Sequence, residues 1–376
     1  MNILQVCPNY LPSVGGVETF VSRLANELKI KGADVFVLCF SKNNEPLYET
    51  IDGIKIYRIN PILTISSQQI ALFLSQKISK LIKLIKPDII HFHYPSPLLS
   101  NALLQAMERL NYKGRFYVHW HGDIVGRKLL KKWYTKSSKA LLGRADKISS
   151  DTLNYAMHSY FLNGFLGKTF VIPAIPDKKR LVNSGINSSE KNFILRTSEN
   201  RTILFSFGRF VKWKGFDYLI DAMNHLDENK YVLYLGGYGK YERKLKKIRK
   251  RKNIFFVGPL DDSKKYTYLK MCDVFVFPSV GRQEAFGITL AEAMCLGSIP
   301  VLFDKPDLGA REIAIPNYSC ICAEKINSIS LANAIKKAHS LPDEMKEIFK
   351  SNIVRVTKEK CSYESFSKAV ALFYQD

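Results

Sequence analysis

Residues 2–32 read NILQVCPNYLPSVGGVETFVSRLANELKIKG, and the order of events in this stretch decides the fold class. Residues 2–7 are a short apolar run, and residues 8–16 are rich in turn formers and end in Gly15-Gly16. From Val17 onward Phe20, Leu24 and Leu28 recur at helical spacing, until Gly32 stops the helix as a C′ glycine does. A strand, a glycine turn and a helix in that order open an α/β fold. The pattern continues outward. Residues 34–40 form the next strand, Leu74, Ile78, Leu81, Ile82 and Ile85 mark an amphipathic helix stopped by Pro87, and residues 89–93 form a further strand. Apolar strands alternating with helices predict a parallel sheet covered on both faces.

At 376 residues the chain is long enough for two domains, at roughly 150 residues each. The polar stretch 177–200, rich in Ser, Asn and Lys and bracketed by apolar strands, reads as a linker. Beyond it the pattern restarts: strands at 202–207, 231–235, 254–257, 274–277 and 299–303, with a helix at 218–226. The expected architecture is therefore α/β: two Rossmann-like, doubly wound parallel-sheet domains, 1–176 and 201–358, facing across a cleft where ligands meet the carboxyl ends of strands.

Fifty-six Lys and Arg against 34 Asp and Glu leave a net charge of +22, which predicts an anionic partner: nucleotide, phospholipid, lipid-linked phosphate or nucleic acid. The seven cysteines are an odd number with no C-x-x-C, which supports neither a disulfide framework nor a zinc ribbon; reduced thiols in a cytosolic compartment are expected. No apolar run approaches the about 18 residues of a membrane span. Residues 1–9 lack a basic region, and no signal peptide is expected.

Four constellations could carry chemistry. Gly15-Gly16 lets the backbone approach a ligand and leads into a helix whose first N–H groups suit a phosphate, although turns often contain such a pair. In the second half Gly208-Arg209, with Lys212, Lys214 and Gly215 just beyond, reads either as a diphosphate clamp or as a solvated basic loop. Glu284 and Glu292 are separated by seven residues, with the helix 287–296 between a loop and Gly297; its N-terminus would face an anion, while a helical glutamate is ordinarily solvated. His91 and His93 share one strand face, as do His119 and His121, so four of the seven histidines could converge. A metal is not expected there, because no cysteine or helical histidine accompanies them and Asp123 is the one evident supporting carboxylate. His121 is the functional candidate among them.

In the order Pro12-Ser-Val-Gly15-Gly16-Val-Glu18, Pro87-Asp88-Ile-Ile-His91, His119-Trp-His121-Gly122, Gly208-Arg209 with Lys214-Gly215, and Glu284-x7-Glu292, the chain resembles the retaining glycosyltransferases of the glycogen-synthase-like class, family four, group 1, with the GT-B fold. The resemblance runs nearly end to end. It implies that residues 1–176 form the acceptor domain, that 201–358 form the nucleotide-sugar donor domain, and that 359–376 are a C-terminal helix returning to the first domain. It implies catalytic roles for His121, Glu284, Arg209 and Lys214: the two cations on the donor diphosphate, Glu284 on the sugar hydroxyls, His121 near the reaction centre. Gly15, Gly16, Gly208, Gly258, Leu260, Phe286, Gly287, Ile288 and Glu292 are implied as donor-binding, with Glu292 on the ribose. The chain departs from the family in residues 171–177, which carry Pro173 and Pro176 in place of Asn-Gly, and in Ala285 after Glu284.

The expected reaction is transfer of a hexose from a GDP- or UDP-linked sugar to a glycan or lipid-linked acceptor in cell-surface polysaccharide or lipopolysaccharide synthesis, with no cofactor and no metal. The sequence contains no D-x-D triplet, the usual metal–diphosphate ligand pair of the other glycosyltransferase fold. A nucleotide-sugar epimerase or hydrolase on the same fold is the competing enzyme reading. A nucleic-acid-binding protein is the competing class, and it would leave the glutamate pair without a purpose; no nucleic-acid partner is expected. Residues 127–147 hold eight Lys or Arg with Leu129, Leu130, Trp133 and Leu141, and residues 240–252 hold nine. They predict either solvated helix faces or contact with an anionic membrane surface, and hence a cytoplasmic enzyme peripherally bound to the inner face of a membrane.

Overall fold

Runs of apolar residues too short for buried helices form two separate parallel sheets. The computed structural model describes residues 1–13, 15–42, 45–65, 68–124 and 131–375. The chain divides into Met1–Ala174 with Phe366–Asp376, and Ile175–Ser365.

The first unit contains β1 (Asn2–Val6), β2 (Asp34–Phe40), β3 (Tyr48–Ile51), β4 (Ile54–Ile59), a separate hairpin of β5 (Leu63–Ile65) and β6 (Gln68–Ile70), then β7 (Ile89–Tyr94), β8 (Arg115–Trp120), β9 (Lys147–Ser150) and β10 (Thr169–Val171). Its main sheet runs in the order β10-β9-β8-β7-β1-β2-β4-β3. All neighbours are parallel except β3 and β4. Strand order reverses between β1 and β7, so the loops that leave those two strands diverge and open a crevice at their carboxyl ends. Ile89, Ile90, Phe92 and Tyr94 of β7 are all buried, as a strand covered on both faces requires.

One cover comes from the end of the chain. The Tyr363–Tyr374 helix buries Phe366, Val370, Phe373 and Tyr374. Phe373 packs edge-on to Tyr117 at a centroid separation of 5.0 Å and to Phe170 at 5.6 Å, and Lys147 Nζ donates to its carbonyl.

The second unit holds β11 (Thr202–Phe207), β12 (Tyr231–Gly236), β13 (Ile254–Gly258), β14 (Val274–Phe277), β15 (Pro300–Phe303) and β16 (Ile321–Ala323), in the order β13-β12-β11-β14-β15-β16, all parallel. Its reversal lies between β11 and β14.

Residues 177–200 are not a linker. They contain the helices Lys178–Asn183 and Ser188–Ser198, which belong to the second unit. The polar residues that suggested a linker include the caps: Asp177 accepts from the Arg180 N–H and Asn187 from the Glu190 N–H. Leu181 and Ile194 bury the inner faces. The expected helix 218–226 begins earlier, as Phe216–Ala222, and continues as a 3₁₀ turn.

Phe373→Ala should destabilise the first unit by ~3–5 kcal/mol, the usual cost of deleting a buried aromatic ring. Urea unfolding followed by far-ultraviolet circular dichroism would show it; an unchanged midpoint would mean that the terminal helix does not cover this sheet in solution.

Candidate active site

In the second unit the glycines and charged residues singled out above collect where β11 to β14 end. The Gly208 N–H donates to Gly236 O and the Gly237 N–H to Gly258 O, which ties the ends of β11, β12 and β13 together. Leu260 lies beside the end of β12, near Gly236. The basic loop after β11 turns back on β14 through Gly215, at φ 67°. A Cβ there would sit 2.0 Å from the Pro278 carbonyl, so only glycine permits this approach.

That approach brings the Lys214 ammonium onto the Glu284 carboxylate. Ser279 Oγ also donates to Glu284, at 3.0 Å. Lys214 lies over the rings of Trp213 and Phe277, 5.1 and 5.2 Å from their centroids. Arg209 is exposed on the same loop and forms no ion pair among the described residues. Gly287, at φ 91°, caps the Ile288–Cys295 helix, with Phe286 buried just before it. Glu292 lies within that helix and is buried; Lys265 Nζ donates to it at 2.8 Å and contacts Asp262 at 3.2 Å. The arrangement offers glycine backbone, free helix N–H groups and two cations at one strand-end crevice, a combination suited to a phosphate-bearing ligand.

In the first unit Gly15 precedes and Gly16 begins the Gly16–Ile30 helix after β1. Gly15 is extended, at φ −178°, a conformation open to any residue. The four histidines do converge. His93 is in register with His119 across β7 and β8, and His119 with Ser149 across β8 and β9. Ring centroids lie 5.5 Å apart for His93 and His121 and 4.2 Å apart for His119 and His121, and Phe20 packs 4.1 Å from His119.

Their supporting carboxylate is Asp151 at the end of β9, a residue the sequence reading missed. Asp123 instead accepts from Trp120 Nε1 at 2.8 Å and from Ser159 Oγ at 2.7 Å. Ser149 Oγ lies 2.8 Å from His119 Nδ1, and His119 Nε2 lies 3.3 Å from Asp151 Oδ1. The hydroxyl donates to Nδ1, so the proton on Nε2 donates to the carboxylate. His121 Nδ1 stands 3.8 Å from Asp151 Oδ2, and its Nε2 lies 3.3 Å from His93 Nδ1.

Burial holds His119 in its neutral form and pushes its pKa down to about 4, helped by the neighbouring His121 and opposed by Asp151. Burial also pushes His91 and His93 well below the ordinary histidine range. Burial alone would raise Asp151, but hydrogen bonds from His119 and His121 outweigh it and hold the carboxyl at about 2. Ligand atoms of His119, His121 and Asp151 lie within 4.8 Å of one another. An ion there would have to break the bond between His119 and Asp151, because Ser149 already engages the other His119 nitrogen. The trio fits a hydrogen-bonded group better than a metal centre.

Comparison with known proteins identifies the frame that carries these residues. The profile of the glycosyl transferases group 1 matches residues 187–356, and that of glycosyltransferase family 4 matches residues 14–153. The O-antigen chain mannosyltransferase C of Escherichia coli is 31% identical over 78% of this chain and 76% of its own. The chain belongs to the group 1, family 4 glycosyltransferases. A D-rhamnosyltransferase of Pseudomonas aeruginosa is 25% identical over 93% of this glycosyltransferase and 89% of its own length. Sucrose-phosphate synthase of Thermosynechococcus elongatus superposes with a TM-score of 0.78 at 17% identity, covering 100% of this chain and 98% of the other. The glycosyltransferase thus has the GT-B fold, built from two Rossmann-like units.

Of the residues singled out from the sequence, Gly208, Arg209, Lys214, Gly258, Leu260, Glu284, Phe286, Gly287, Ile288 and Glu292 belong to the second unit, and Gly15, Gly16 and His121 to the first. Sequence reasoning missed Asp151, Lys265 and Ser279. Lys265 carries a weak signal, since it stands beside Asp262 in an otherwise ordinary helix.

The histidine cluster makes the glycosyltransferase acid-sensitive. Between pH 6.5 and about 4 unfolded chains bind a proton on His119 that the folded protein refuses, so stability falls as pH drops through that window. Asp151 adds the same sign lower down: its contribution is present above 3.8 and is lost as pH falls toward about 2. Urea unfolding at pH 7 and pH 5 should show a loss of up to about 1.4 kcal/mol per pH unit for each buried histidine. His119→Gln should flatten this slope by one proton; a slope unchanged by the substitution would show that His119 titrates normally.

Proposed function

We propose that this glycosyltransferase moves a hexose from a GDP- or UDP-linked sugar to a glycan or lipid-linked acceptor in cell-surface polysaccharide synthesis, with retention at the anomeric carbon and without a metal. The observation that carries the reading is the strand-end group of the second unit: Gly208, Lys214, Glu284 and the Gly287-capped helix within one crevice. The relative named as an O-antigen chain mannosyltransferase supports a glycan acceptor and makes GDP-mannose the first donor to test.

Cleavage of a nucleotide sugar puts negative charge on the departing diphosphate. Arg209 and Lys214 on the β11 loop meet that charge, and the first N–H groups of the Ile288–Cys295 helix add to it. Glu284 orders sugar hydroxyls, held in place by Ser279 and Lys214. A carboxylate so engaged is a poor nucleophile. Retention then follows from attack on the same face as departure, with the leaving phosphate taking the acceptor's proton. Glu292, paired with Lys265, accepts hydrogen bonds from the ribose hydroxyls in this reading. In the first unit His121 orients the sugar near the reaction centre.

The acceptor reading extends to a membrane surface. Residues 125–130, with Leu129 and Leu130, lie outside the described residues. Leu141 faces the core, and the Lys131–Arg144 helix exposes Lys132, Trp133, Lys136 and Lys139. A stronger apolar element is the β5–β6 hairpin with its flanks, where Ile62, Leu63, Ile65, Leu72 and Phe73 are all exposed. Beside it the Leu74–Ile85 helix presents Lys77, Lys80 and Lys83 to solvent. The Pro97–Arg109 helix packs against both lysine-bearing helices and β6, so all four lie on one side of the sheet. Apolar side chains beside lysines suit an anionic leaflet, at about 1 kcal/mol per basic residue near the surface.

Transfer from GDP-mannose or a UDP-hexose should survive excess EDTA, and Glu284→Gln should lower kcat by ~10²–10³, the cost of one strong transition-state contact. Turnover that stops with EDTA and returns with Mg or Mn would refute metal independence. A Glu284→Gln variant at the wild-type rate would remove Glu284 from the site. Product release without any acceptor would favour the hydrolase reading.

Co-sedimentation with liposomes tests the surface. Binding should require anionic lipid, weaken at high salt, and fall when Lys77, Lys80 and Lys83 are changed to Glu or when Phe73 is changed to Asp. Binding indifferent to lipid charge or to these changes would refute it.

A further inference from the structure

Beneath His121 the polar side chains do not end; they continue along one face of the sheet to the last turn of the terminal helix. His93 Nδ1 meets His121 Nε2 at 3.3 Å, and His93 Nε2 meets Gln5 Oε1 at 2.6 Å. Gln5 Nε2 donates to Tyr374 Oη at 3.1 Å, and Tyr374 Oη bonds His91 Nδ1. Gln5, His91 and His93 are fully buried and Tyr374 nearly so. Burial pushes the Tyr374 phenol above its ordinary range, so it stays a hydroxyl and can donate.

The amide sets the direction of this chain, because each of its ends has one role. With Nε2 on Tyr374, the phenol accepts from Gln5 and gives its own proton to His91 Nδ1. With Oε1 on His93, that ring must donate from Nε2. Its Nδ1 is then an acceptor, and the donor it faces is Nε2–H of His121. Were the amide turned over, every proton in the chain would move to the other side, and His121 would carry its proton on Nδ1, toward Asp151. Tyr374 serves either direction, because its hydroxyl accepts as well as donates and His91 Nδ1 can hold the proton instead.

We propose that Tyr374, acting through Gln5 and His93, is a positioning residue for His121: by anchoring the Gln5 amide it holds the ring in one orientation and one tautomer. The proposal rests on the reading of His121 as a residue of the reaction. It gives the terminal helix a part in the first unit's share of the site, beyond covering the sheet. Asp151 braces the same ring from its Nδ1 side.

Tyr374→Phe keeps the ring packing against His91 and Tyr117 and removes only the hydroxyl. In protein labelled with ¹⁵N-histidine, the wild-type His121 signals should show a single ring form, assigned by their loss in His121→Ala. In Tyr374→Phe those signals should move toward a mixture of ring forms. kcat should fall about tenfold, one hydrogen bond's worth of barrier, while KM changes less than about twofold. Gln5→Met, of similar volume, breaks the chain at its middle and should reproduce both effects, so that the test does not hang on one variant folding. His121 signals and kcat identical to wild type in a folded variant would overturn the proposal. Wild-type turnover in His121→Ala would instead overturn the assignment of His121 to the reaction, a separate failure that the nitrogen signals distinguish.

Discussion

A parallel sheet has no free face. Helices must cover both sides, so polar chemistry can leave such a sheet only at the ends of its strands, and most readily where strand order reverses. Both units obey this constraint. In the first the reversal lies between β1 and β7, the strands that carry Gln5 and His93; in the second it lies between β11 and β14, whose loops carry Lys214 and Glu284. Candidate site residues far apart in sequence come together because each follows a strand whose neighbours point the same way.

Within that constraint the two units solve different electrostatic problems. The second holds two buried glutamates, each matched by a lysine: Glu284 by Lys214 and Glu292 by Lys265. Buried ion pairs contribute little net stability, since desolvation offsets attraction. Their value here is placement, as each carboxylate is aimed by its lysine. The histidine cluster of the first unit avoids positive charge instead. His91, His93 and His119 are driven neutral by burial, and the sole carboxylate among them is satisfied by donors.

How much of this was legible in the sequence follows from range. Alternation of apolar strands with helices is local, and the strands at 2–7, 34–40, 202–207 and 274–277 were readable from it. The convergence of the histidines was readable too, from the period of a strand. Strands β3 to β6 were not, because their apolar residues alternate with polar ones around short turns. Residues 177–200 misled because N-cap residues and linker residues are the same amino acids: Asp177 and Asn187 end a loop only when the buried Leu181 and Ile194 that follow are recognised. Asp151 was invisible for another reason. Its histidine partners lie on another strand, and nothing in its immediate neighbours marks it.

The first unit is closed by residues that follow the whole second unit in sequence. Its sheet is complete in strands once Val171 has been synthesised, yet Phe366, Phe373 and Tyr374 reach it only after the whole second unit has been translated. On the ribosome the nascent first unit therefore waits with Tyr117, Gln5 and His91 uncovered while nearly two hundred further residues emerge. Chains released by a nonsense codon just past Ser365 would carry an intact second unit and an unsealed first unit, a difference that chaperones and proteases can read as exposed aromatic surface.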